Sequence, residues 1–573
     1  MSRTLPTPLA VVGILATGAV VLVPSLFTRD PWNPDEPRAT EVAREMVALG
    51  NYLVPHLNGE PYSDKPPVFY WLAAGFWRAG AGLNSGRLVS LLAATGTALL
   101  VYALGRRLHS AELGLYAAIV TLTTKLFWFI GKFGVLDPLL TLFTTLSIYC
   151  IVRALDNGAA TPSPHSPLRT PHSAFRIPHS HWWLGAYAAA ALAVLTKGPV
   201  GLMVPLLVGL AYGILRRGKA RAGGWWHLAG AALFLGLVAA WLVPACIHGG
   251  EAYTRDILFQ QTAQRMGENA SHYQPFYFYL LHAPLMFLPW TLLLALALAW
   301  ALRAARGLGD RAGLLAAAWL IVVFVFFSLF SGKRERYLLP LVPAAGLLCA
   351  RYAIAVVKGE LAPLRWHHGL WKATLVILGL AGVLLVGLAL SSDAAVGRFT
   401  HEPAVEAEVR AALGPLVLVV AGLAGAAVLA ACLWGIAAPW GAGGEPRRLA
   451  AAAAAVVILS LAVDLAATPI INRFKSGRDL IERAGPYVRD ADEVLLYQSD
   501  YSGVYNLFTR RVRMPVVEDE KGLLARLTPG RRVALIARES ATEGLLNRVP
   551  LHEVARERVG HRKLVVLANW KDR

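Results

Sequence analysis

Long apolar segments recur along most of the chain, and short connectors between them carry most of its charges. A helix of ~20 apolar residues is long enough to cross a hydrocarbon core of ~30 Å. The pattern therefore predicts a mainly α-helical, polytopic membrane protein with about thirteen transmembrane helices. The predicted spans are 8–27, 87–105, 113–130, 136–154, 183–197, 199–215, 225–247, 283–302, 312–330, 337–357, 369–391, 413–434 and 449–470.

The connectors alternate in character. One set is mostly basic and poor in acidic residues, as in RRLHS, RRGKARAGG and RAARGLGDR, which is typical of cytoplasmic connectors. The N-terminus is then expected in the cytoplasm, and an odd number of spans places the C-terminal tail outside. The outward connectors are 28–86, 131–135, 248–282, 331–336 and 392–412.

Residues 34–80 are predicted to lie in the membrane interface. Ala39, Val42 and Met46 recur at helical spacing, and Gly50 suits the C-terminal end of such a helix. The following KPPVFYWLAAGFWRAG is apolar, but its length and its proline pair favour an interfacial segment over a span.

The pattern changes after Ile471, where hydropathy falls. SGRDLIERAGPYVR predicts a helix, and DEVLLYQ, RRVALIAR and KLVVLANW predict short strands. We therefore predict a transmembrane domain over 1–470 and a small C-terminal α/β domain over 471–573, on the outer side.

The composition agrees with this picture. The chain of 573 residues is 56% hydrophobic and 16% charged, whereas soluble domains have about 25% charged residues. The net charge of +19 is spread over connectors, so nucleic acid is not an expected partner, and anionic lipids or a phosphorylated ligand suit it better. The four cysteines lie in apolar runs without metal-ligand or redox spacing.

Several cations interrupt the charge pattern because they lie at outer helix ends, where the positive-inside rule disfavours them. Any one of them could be a side chain reaching the interface from a helix end. Together on one face they predict a site for a phosphate or pyrophosphate. These cations are Lys65, Lys132, Lys197, Lys333, Arg334 and Arg336.

Two carboxylates, Asp35 and Asp137, accompany these cations at outer helix ends. Each could be an ordinary N-cap residue. A carboxylate that faces cations can instead act as a general base or orient an acceptor, which makes Asp35 the preferred catalytic candidate. A solvated helix face with intrahelical ion pairs is the alternative for the charges that follow, and it is preferred for Glu41, Arg44 and Glu45.

Five motifs follow one another along the chain. They are DEPR with GNYLVPHLNGEPYSDKPPVFYW, then GKFGVLDPLL, LTKGPVGLMVP, QRMGENASHYQPFYFY and SGKRERYLLPLVP. In this order they resemble bacterial lipid-linked-sugar transferases of the aminoarabinose transferase type. These are membrane glycosyltransferases of the GT-C fold, related to protein O-mannosyltransferases. The motifs extend from Asp35 to Pro343.

The resemblance implies transfer of a sugar from a polyprenyl phosphate, usually undecaprenyl phosphate, at the periplasmic face of the bacterial inner membrane. The acceptor in the best-known members is a lipid A phosphate. Asp35 would be the catalytic carboxylate, supported by Asp137. Lys65, Lys197 and Arg265 would bind the donor phosphate. Further candidate substrate contacts are Glu36, Arg38, Lys132, Lys333, Arg336 and Tyr337.

This chemistry requires no nucleotide or redox cofactor. In some relatives a metal is bound by a carboxylate just before the KPP lysine and by a histidine of the long outer loop. The matching positions are Asp64 and His272, but a third ligand is not evident. A divalent metal is therefore an option and not a requirement.

Two departures from the family pattern bear on the substrates. Ala39 follows Arg38 where an aromatic residue is common, and SGKRERY is unusually basic. An ionised phosphate acceptor would need positioning, whereas a hydroxyl acceptor would need Asp35 as a base. The alternatives are a protein O-mannosyltransferase-like enzyme, an enzyme that builds envelope oligosaccharides, and a transporter or flippase of lipid-linked sugars. The last would show repeated halves and charges deep in the bundle.

Overall fold

The computed structural model describes residues 6–32, 34–155, 181–216, 224–260, 273–304, 310–360, 366–390, 410, 413–439, 442–499, 503–559 and 562–571. Within these ranges the chain is mainly helical. The longer helices are α1 (Thr7–Leu22), α2 (Ser25–Thr28), α3 (Asp35–Leu49), α4 (Val68–Phe76), α5 (Ser85–Leu108), α6 (Ala111–Thr123), α7 (Lys125–Gly131), α8 (Leu136–Leu155), α9 (Trp182–Lys197), α10 (Val200–Leu215), α11 (Trp225–Arg255), α12 (Phe278–Met286), α13 (Thr291–Ala304), α14 (Arg311–Leu329), α15 (Val342–Val357), α16 (His367–Leu390), α17 (Pro415–Ile436), α18 (Glu445–Ala462) and α19 (Thr468–Lys475).

Nine helical segments of the described residues are long and apolar enough to cross a membrane, or up to eleven if each of two bent pairs counts as one span. The prediction of a polytopic, mainly α-helical membrane protein is confirmed. The count of about thirteen stays a prediction, because α9 and α10 have only 16 residues each.

Two predicted spans are wrong as continuous helices. Segment 113–130 bends by 67° between α6 and α7, where Thr124 has an extended backbone. The hydroxyls of Thr123 and Thr124 donate to carbonyls one turn back, an arrangement that bends helices. Segment 283–302 bends by 114° between α12 and α13, where Pro289 lacks the amide hydrogen that a continuous helix needs.

Helix α15 lies at the centre of the bundle, and every residue from Val342 to Val356 is buried. It packs closely on α6, because a Cβ on Gly346 would lie 2.6 Å from the carbonyl oxygen of Ala117. The 3-10 helix Glu335–Leu341 leads directly into α15. The packed core therefore fixes the segment that carries the KRERY motif.

The predicted interfacial helix is present as α3, which ends at Gly50 in the left-handed conformation (φ 65°). A hairpin follows, formed by β1 (His56–Leu57) and β2 (Glu60–Pro61). With nine residues, α4 is ~14 Å long and too short to cross by itself. A kink at Gly80 separates it from α5.

The tail forms a five-stranded mixed sheet from β3 (Glu493–Tyr497), β4 (Val516–Val517), β5 (Val533–Arg538), β6 (His552–Val559) and β7 (Arg562–Ala568), in the order β4-β3-β5-β7-β6. The three predicted strands are confirmed as β3, β5 and β7, whereas the predicted helix is two short helices that meet at Ala484. The boundary predicted at 470/471 falls inside α19, so the division into two domains stays a prediction. The helices of the tail are α20 (Arg478–Arg483), α21 (Gly485–Asp490), α22 (Val504–Thr509) and α23 (Glu520–Leu524).

The tail covers the polar face of α3, so the prediction of a solvated face is wrong. Glu41, Arg44 and Glu45 are all buried. Arg44 pairs with Glu41 at 2.6 Å and donates to the carbonyl oxygens of Arg510 and Arg511. The charges of this face therefore join the tail to the interfacial helix.

Candidate active site

Asp35 lies in the first turn of α3, and its carboxylate contacts two arginines of the KRERY segment. Its Oδ2 accepts hydrogen bonds from Nη1 of Arg334 and Nη1 of Arg336, both at 2.8 Å. Pro34 occupies the N-cap position, so Asp35 is not the N-cap residue. Its side chain remains 28% exposed and is therefore open to a ligand.

Asp137 lies in the first turn of α8, and its carboxylate also interacts with Arg336. Its Oδ1 accepts from Nζ of Lys197, and its Oδ2 lies 3.7 Å from Nε of Arg336. Lys197 ends α9 and lies 4.5 Å from the centre of the Tyr337 ring. We call this set the Asp35 cluster: Asp35, Asp137, Lys197, Arg334, Arg336 and Tyr337.

The arginines decide the protonation state of Asp35. Burial would raise its pKa, but the charges of Arg336, Arg334 and Arg38 outweigh burial and lower the pKa to about 2. Asp35 is therefore ionised at neutral pH and is a poor proton acceptor. It can attract positive charge or orient a group, which is a role for a fixed carboxylate.

A second group lies beside the Asp35 cluster and includes the KPP lysine. Asp64 accepts from the hydroxyl of Tyr62 at 2.9 Å and from Nζ of Lys65 at 2.6 Å. Arg38 hydrogen-bonds Tyr62 and interacts electrostatically with Asp35 and Asp64. We call Arg38, Tyr62, Asp64 and Lys65 the Lys65 group.

The two sets together contain more cations than anions. They hold the five cations Arg38, Lys65, Lys197, Arg334 and Arg336 against the three carboxylates Asp35, Asp64 and Asp137. This surplus of positive charge suits a phosphate group, and arginine forks match phosphate oxygens well.

Glu36 points away from this site and serves the fold. It accepts from Arg29 and Arg87, both at 2.8 Å, and from the amide of Gly134 at 2.9 Å. Burial opposes its ionisation, but Arg29 and Arg87 lower its pKa. The structure therefore places this candidate substrate contact in an anchor between α3 and α5.

Two further candidate substrate contacts do not pair with Asp35 or Asp137. Lys132 donates to Asp464 at 2.6 Å and to Ser460 at 2.7 Å, which ties the end of α7 to the end of α18. Lys333 donates to the carbonyl oxygens of Gln274 and Phe330. Each of these ammonium groups already holds protein acceptors.

Arg265 and His272 lie outside the described residues. No group of three His, Cys, Asp or Glu side chains that could hold a metal occurs among the residues with described positions. Both oxygens of Asp64 already accept hydrogen bonds, from Lys65 and Tyr62. A metal at Asp64 and His272 stays a prediction.

Several residues that position the carboxylates of this region were not predicted from the sequence. Arg29 and Arg87 bind Glu36, and Tyr62 binds Asp64. A charged residue at the edge of an apolar span, as in NSGRLVSLL, was the available signal for Arg87. Asp464 gave the same signal in LAVDLAA but was not used.

Comparison with known proteins shows what the sequence and the fold are similar to. The family model described as dolichyl-phosphate-mannose-protein mannosyltransferase matches residues 9–249, and that of the Alg9-like mannosyltransferase family matches residues 267–396. The crystal structure of ArnT from Cupriavidus metallidurans bound to undecaprenyl phosphate superposes with a TM-score of 0.75 at 21% identity, covering 99% of both chains. The fold is GT-C, as predicted.

Several curated relatives are named as aminoarabinose transferases. Undecaprenyl phosphate-alpha-4-amino-4-deoxy-L-arabinose arabinosyl transferase 2 of Proteus mirabilis is 30% identical over 57% of this chain and 56% of its own. The corresponding transferase of Pseudomonas aeruginosa is 30% identical over 65% of both chains. The chain thus matches these relatives over less than two thirds of their length. Over the matched part, the chain is similar to aminoarabinose transferases, in agreement with the resemblance of its motifs.

Proposed function

We propose that this protein is an integral membrane glycosyltransferase that moves a sugar from a polyprenyl phosphate to a phosphate-bearing envelope acceptor, lipid A or a similar glycolipid. The observation that carries the proposal is the Asp35 cluster, in which two carboxylates share Arg336 beside further cations. The curated relatives, named as undecaprenyl phosphate-aminoarabinose transferases, support the donor class.

In this reaction the bond between the sugar C1 and the phosphate oxygen breaks, and its electron pair stays on the polyprenyl phosphate. An acceptor oxygen forms the new bond to C1. Negative charge grows on the leaving phosphate, so fixed cations stabilise the transition state. Lys65, Lys197 and Arg265 are the proposed donor-phosphate contacts, and Arg38, which interacts with Asp64 in the Lys65 group, would assist them. No step of this chemistry needs a nucleotide or redox cofactor.

The state of Asp35 points to the type of acceptor. A carboxylate with a pKa of about 2 does not readily take a proton from a hydroxyl at neutral pH. A phosphate acceptor arrives already ionised and needs only orientation. Asp35 would then hold Arg334 and Arg336 toward that phosphate and favour positive charge on the sugar.

We also propose on which side of the membrane the site and the tail lie. The tail packs on α3, with Gly503 against Arg38 and Glu41, so the tail and the site lie on the same side. The basic connectors of the opposite side favour a cytoplasmic location. We therefore place the site and the tail domain at the periplasmic face of the bacterial inner membrane.

A second candidate is transfer to a protein hydroxyl, because the protein mannosyltransferase model matches residues 9–249. That reaction needs a base for the acceptor hydroxyl. The low pKa of Asp35 weighs against it.

The test is a transfer assay with purified protein and labelled polyprenyl phosphate-sugars. We expect label in lipid A and no label in Ser/Thr-rich peptide. Dephosphorylated lipid A should accept no sugar, because the ionised oxygen is missing. Transfer to peptide or to dephosphorylated lipid A would contradict the proposed acceptor, and no transfer from any polyprenyl phosphate-sugar to any acceptor would contradict the proposed activity.

The role of Lys65 has its own test. Lys65→Ala should raise the KM for the donor and lower kcat/KM by about tenfold or more, since a charge-assisted contact to phosphate is lost. Lys521→Ala, an exposed lysine of the tail, is the matched control and should behave as wild type. Unchanged donor kinetics in Lys65→Ala would contradict the proposed contact between Lys65 and the donor phosphate.

A further inference from the structure

A polar cavity lies at the end of the bundle opposite the Asp35 cluster. Helix α5 begins beside Glu36, where Arg87 binds it, and its 24 residues extend ~36 Å toward this cavity. The cavity has a volume of about 370 Å³. We call it the far cavity, and its polar lining residues are His109, Trp300, Asp310, Arg311, Arg351 and Glu360.

Two buried donors of the far cavity have no acceptor in the described part of the chain. The Arg351 side chain is 8% exposed, with Nε 3.1 Å from Oδ2 of Asp310 and Nη2 2.6 Å from Oε2 of Glu360. Its Nη1 has no hydrogen-bond partner there, and neither has Nε1 of Trp300, which is 4% exposed. Buried donors left without acceptors are costly, so the lining favours a ligand that accepts two hydrogen bonds.

The charges of the lining limit what this ligand can be. The cations Arg311 and Arg351 balance the carboxylates Asp310 and Glu360. Burial and the charge of Arg351 lower the pKa of His109, which is therefore neutral. Oδ2 of Asp310 is buried, and apart from its ion pair with Nε of Arg351 at 3.1 Å it accepts no hydrogen bond from any described residue, so it has room for a second donor. A balanced lining that offers two donors and one carboxylate acceptor suits a zwitterion better than a simple anion.

We propose that the far cavity binds a phosphate–amine headgroup of the phosphoethanolamine type. Its phosphate would accept from Nη1 of Arg351 and Nε1 of Trp300, and its primary ammonium would donate to Oδ2 of Asp310. The cavity lies at the ends of apolar helices α5, α14 and α15, which is the depth of lipid headgroups in a membrane.

The experiment uses the full chain in nanodiscs of phosphatidylcholine that contain either phosphatidylethanolamine or phosphatidylglycerol. Native mass spectrometry after gentle release counts the retained lipids. Wild type should retain phosphatidylethanolamine at least about fivefold over phosphatidylglycerol or phosphatidylcholine, because only it carries both the phosphate and an N–H donor. Trp300→Phe keeps an aromatic ring but removes the N–H donor, and it should lower retention about tenfold.

Trp319→Phe is the matched control. Its Nε1 is also buried without a described partner, but Trp319 does not line the far cavity, so retention should not change. Displacement by soluble O-phosphoethanolamine would identify a free headgroup compound as a ligand, and lack of displacement would identify the lipid; both support the headgroup site. Equal retention in the two tryptophan variants, or equal retention of the three lipids by wild type, would overturn it. Sugar transfer should be the same in Trp300→Phe and wild type.

Discussion

Asp35 and Glu36 are neighbours in the sequence, and each contacts two arginines, yet the two carboxylates serve different ends. Glu36 is 1% exposed, and two backbone amides, of Trp32 and Gly134, complete its contacts. Asp35 is 28% exposed, and both of its arginines reach a single oxygen. A buried carboxylate with saturated contacts stabilises a fold, whereas a partly open one keeps capacity for a substrate. Substitutions of Asp35 and of Glu36 test this difference separately.

The largest effect is expected for Asp35→Asn, which keeps the size of the side chain and removes its charge. Transfer should fall about a thousandfold, which corresponds to ~4 kcal/mol of transition-state stabilisation. The thermal unfolding midpoint should fall less than in Glu36→Gln, since Asp35 is partly exposed whereas Glu36 is buried. Sugar transfer and thermal unfolding would be measured on the same preparation.

Asp490→Asn is the control, because Asp490 is exposed at the end of α21 in the tail. It should keep both transfer and stability. If Asp35→Asn transferred sugar at the wild-type rate, the catalytic role of Asp35 would be wrong.

Glu36→Gln should give the opposite result. The change leaves the buried guanidinium groups of Arg29 and Arg87 without their anion. Removing one partner of a buried ion pair costs ~3 kcal/mol or more. Thermal unfolding in detergent should show a clear loss of stability, whereas Glu482→Gln, at an exposed pair with Arg478, should show none. An unchanged unfolding midpoint in Glu36→Gln would contradict the stabilising role of Glu36.

The sequence was sufficient for the class of protein and for much of the outer face. Apolar length predicted the helices, and misplaced cations at helix ends singled out Lys65, Lys197 and Arg336, which the structure brings near the carboxylates. The sequence favoured Asp35 as the catalytic carboxylate but kept Glu36 as a substrate contact, since only the tertiary fold shows that Glu36 meets Arg29 and Arg87 instead of Arg336. Lys132 shows the same limit, because its partner Asp464 lies far along the chain.

The solvated face assigned to α3 failed for a related reason. Amphipathic spacing distinguishes an apolar face from a polar one, but it cannot tell water from another part of the protein. Glu41, Arg44 and Glu45 look like surface charges in the sequence, yet the tail covers them. The two broken spans were missed because a hydropathy window averages over short interruptions such as Thr124 and Pro289.

Arg336→Gln removes one of the two cations that contact the Asp35 carboxylate. Arg336 is the leading attractive influence on the Asp35 carboxylate, so its loss should raise the pKa of Asp35 from about 2 toward the ordinary value of 3.8. Transfer should fall by ~10- to 100-fold, because the arginine also lies between Asp35 and Asp137.

The pKa of Asp35 predicts in which direction activity and stability change with pH. A lowered carboxyl pKa contributes stability above its unfolded value, and that stability is lost as pH falls through about 2. Wild-type kcat should therefore show no titration of Asp35 above about pH 4, whereas the loss of activity on acidification should begin at higher pH in Arg336→Gln. Arg478→Gln, an exposed arginine, is the control. An acid limb that does not move in Arg336→Gln would contradict control of Asp35 by this arginine.

The smallest effect concerns the tail that covers α3. Asn58 joins the hairpin to the tail: its side chain donates to the carbonyl oxygen of Met514 at 3.0 Å and accepts from the amide of Met514 at 2.7 Å. Its φ of 59° lies in the left-handed region, so Asn58→Gly removes these bonds without adding backbone strain. The loss should be ~1 to 2 kcal/mol of local stability.

Hydrogen exchange of residues 503–514 should therefore quicken by about fivefold or more in Asn58→Gly, with the bundle helices unchanged. Gly50, at the end of α3, has open space around it and a φ of 65°, so Gly50→Asn is a control that changes the same interfacial segment without touching the tail. Faster exchange in Asn58→Gly together with an altered KM would mean that the tail positions α3, and with it Asp35 and Arg38, for the acceptor. Faster exchange with unchanged kinetics would limit the tail to stabilising the helix, because α3 would then hold Asp35 through the Glu36 anchor by itself.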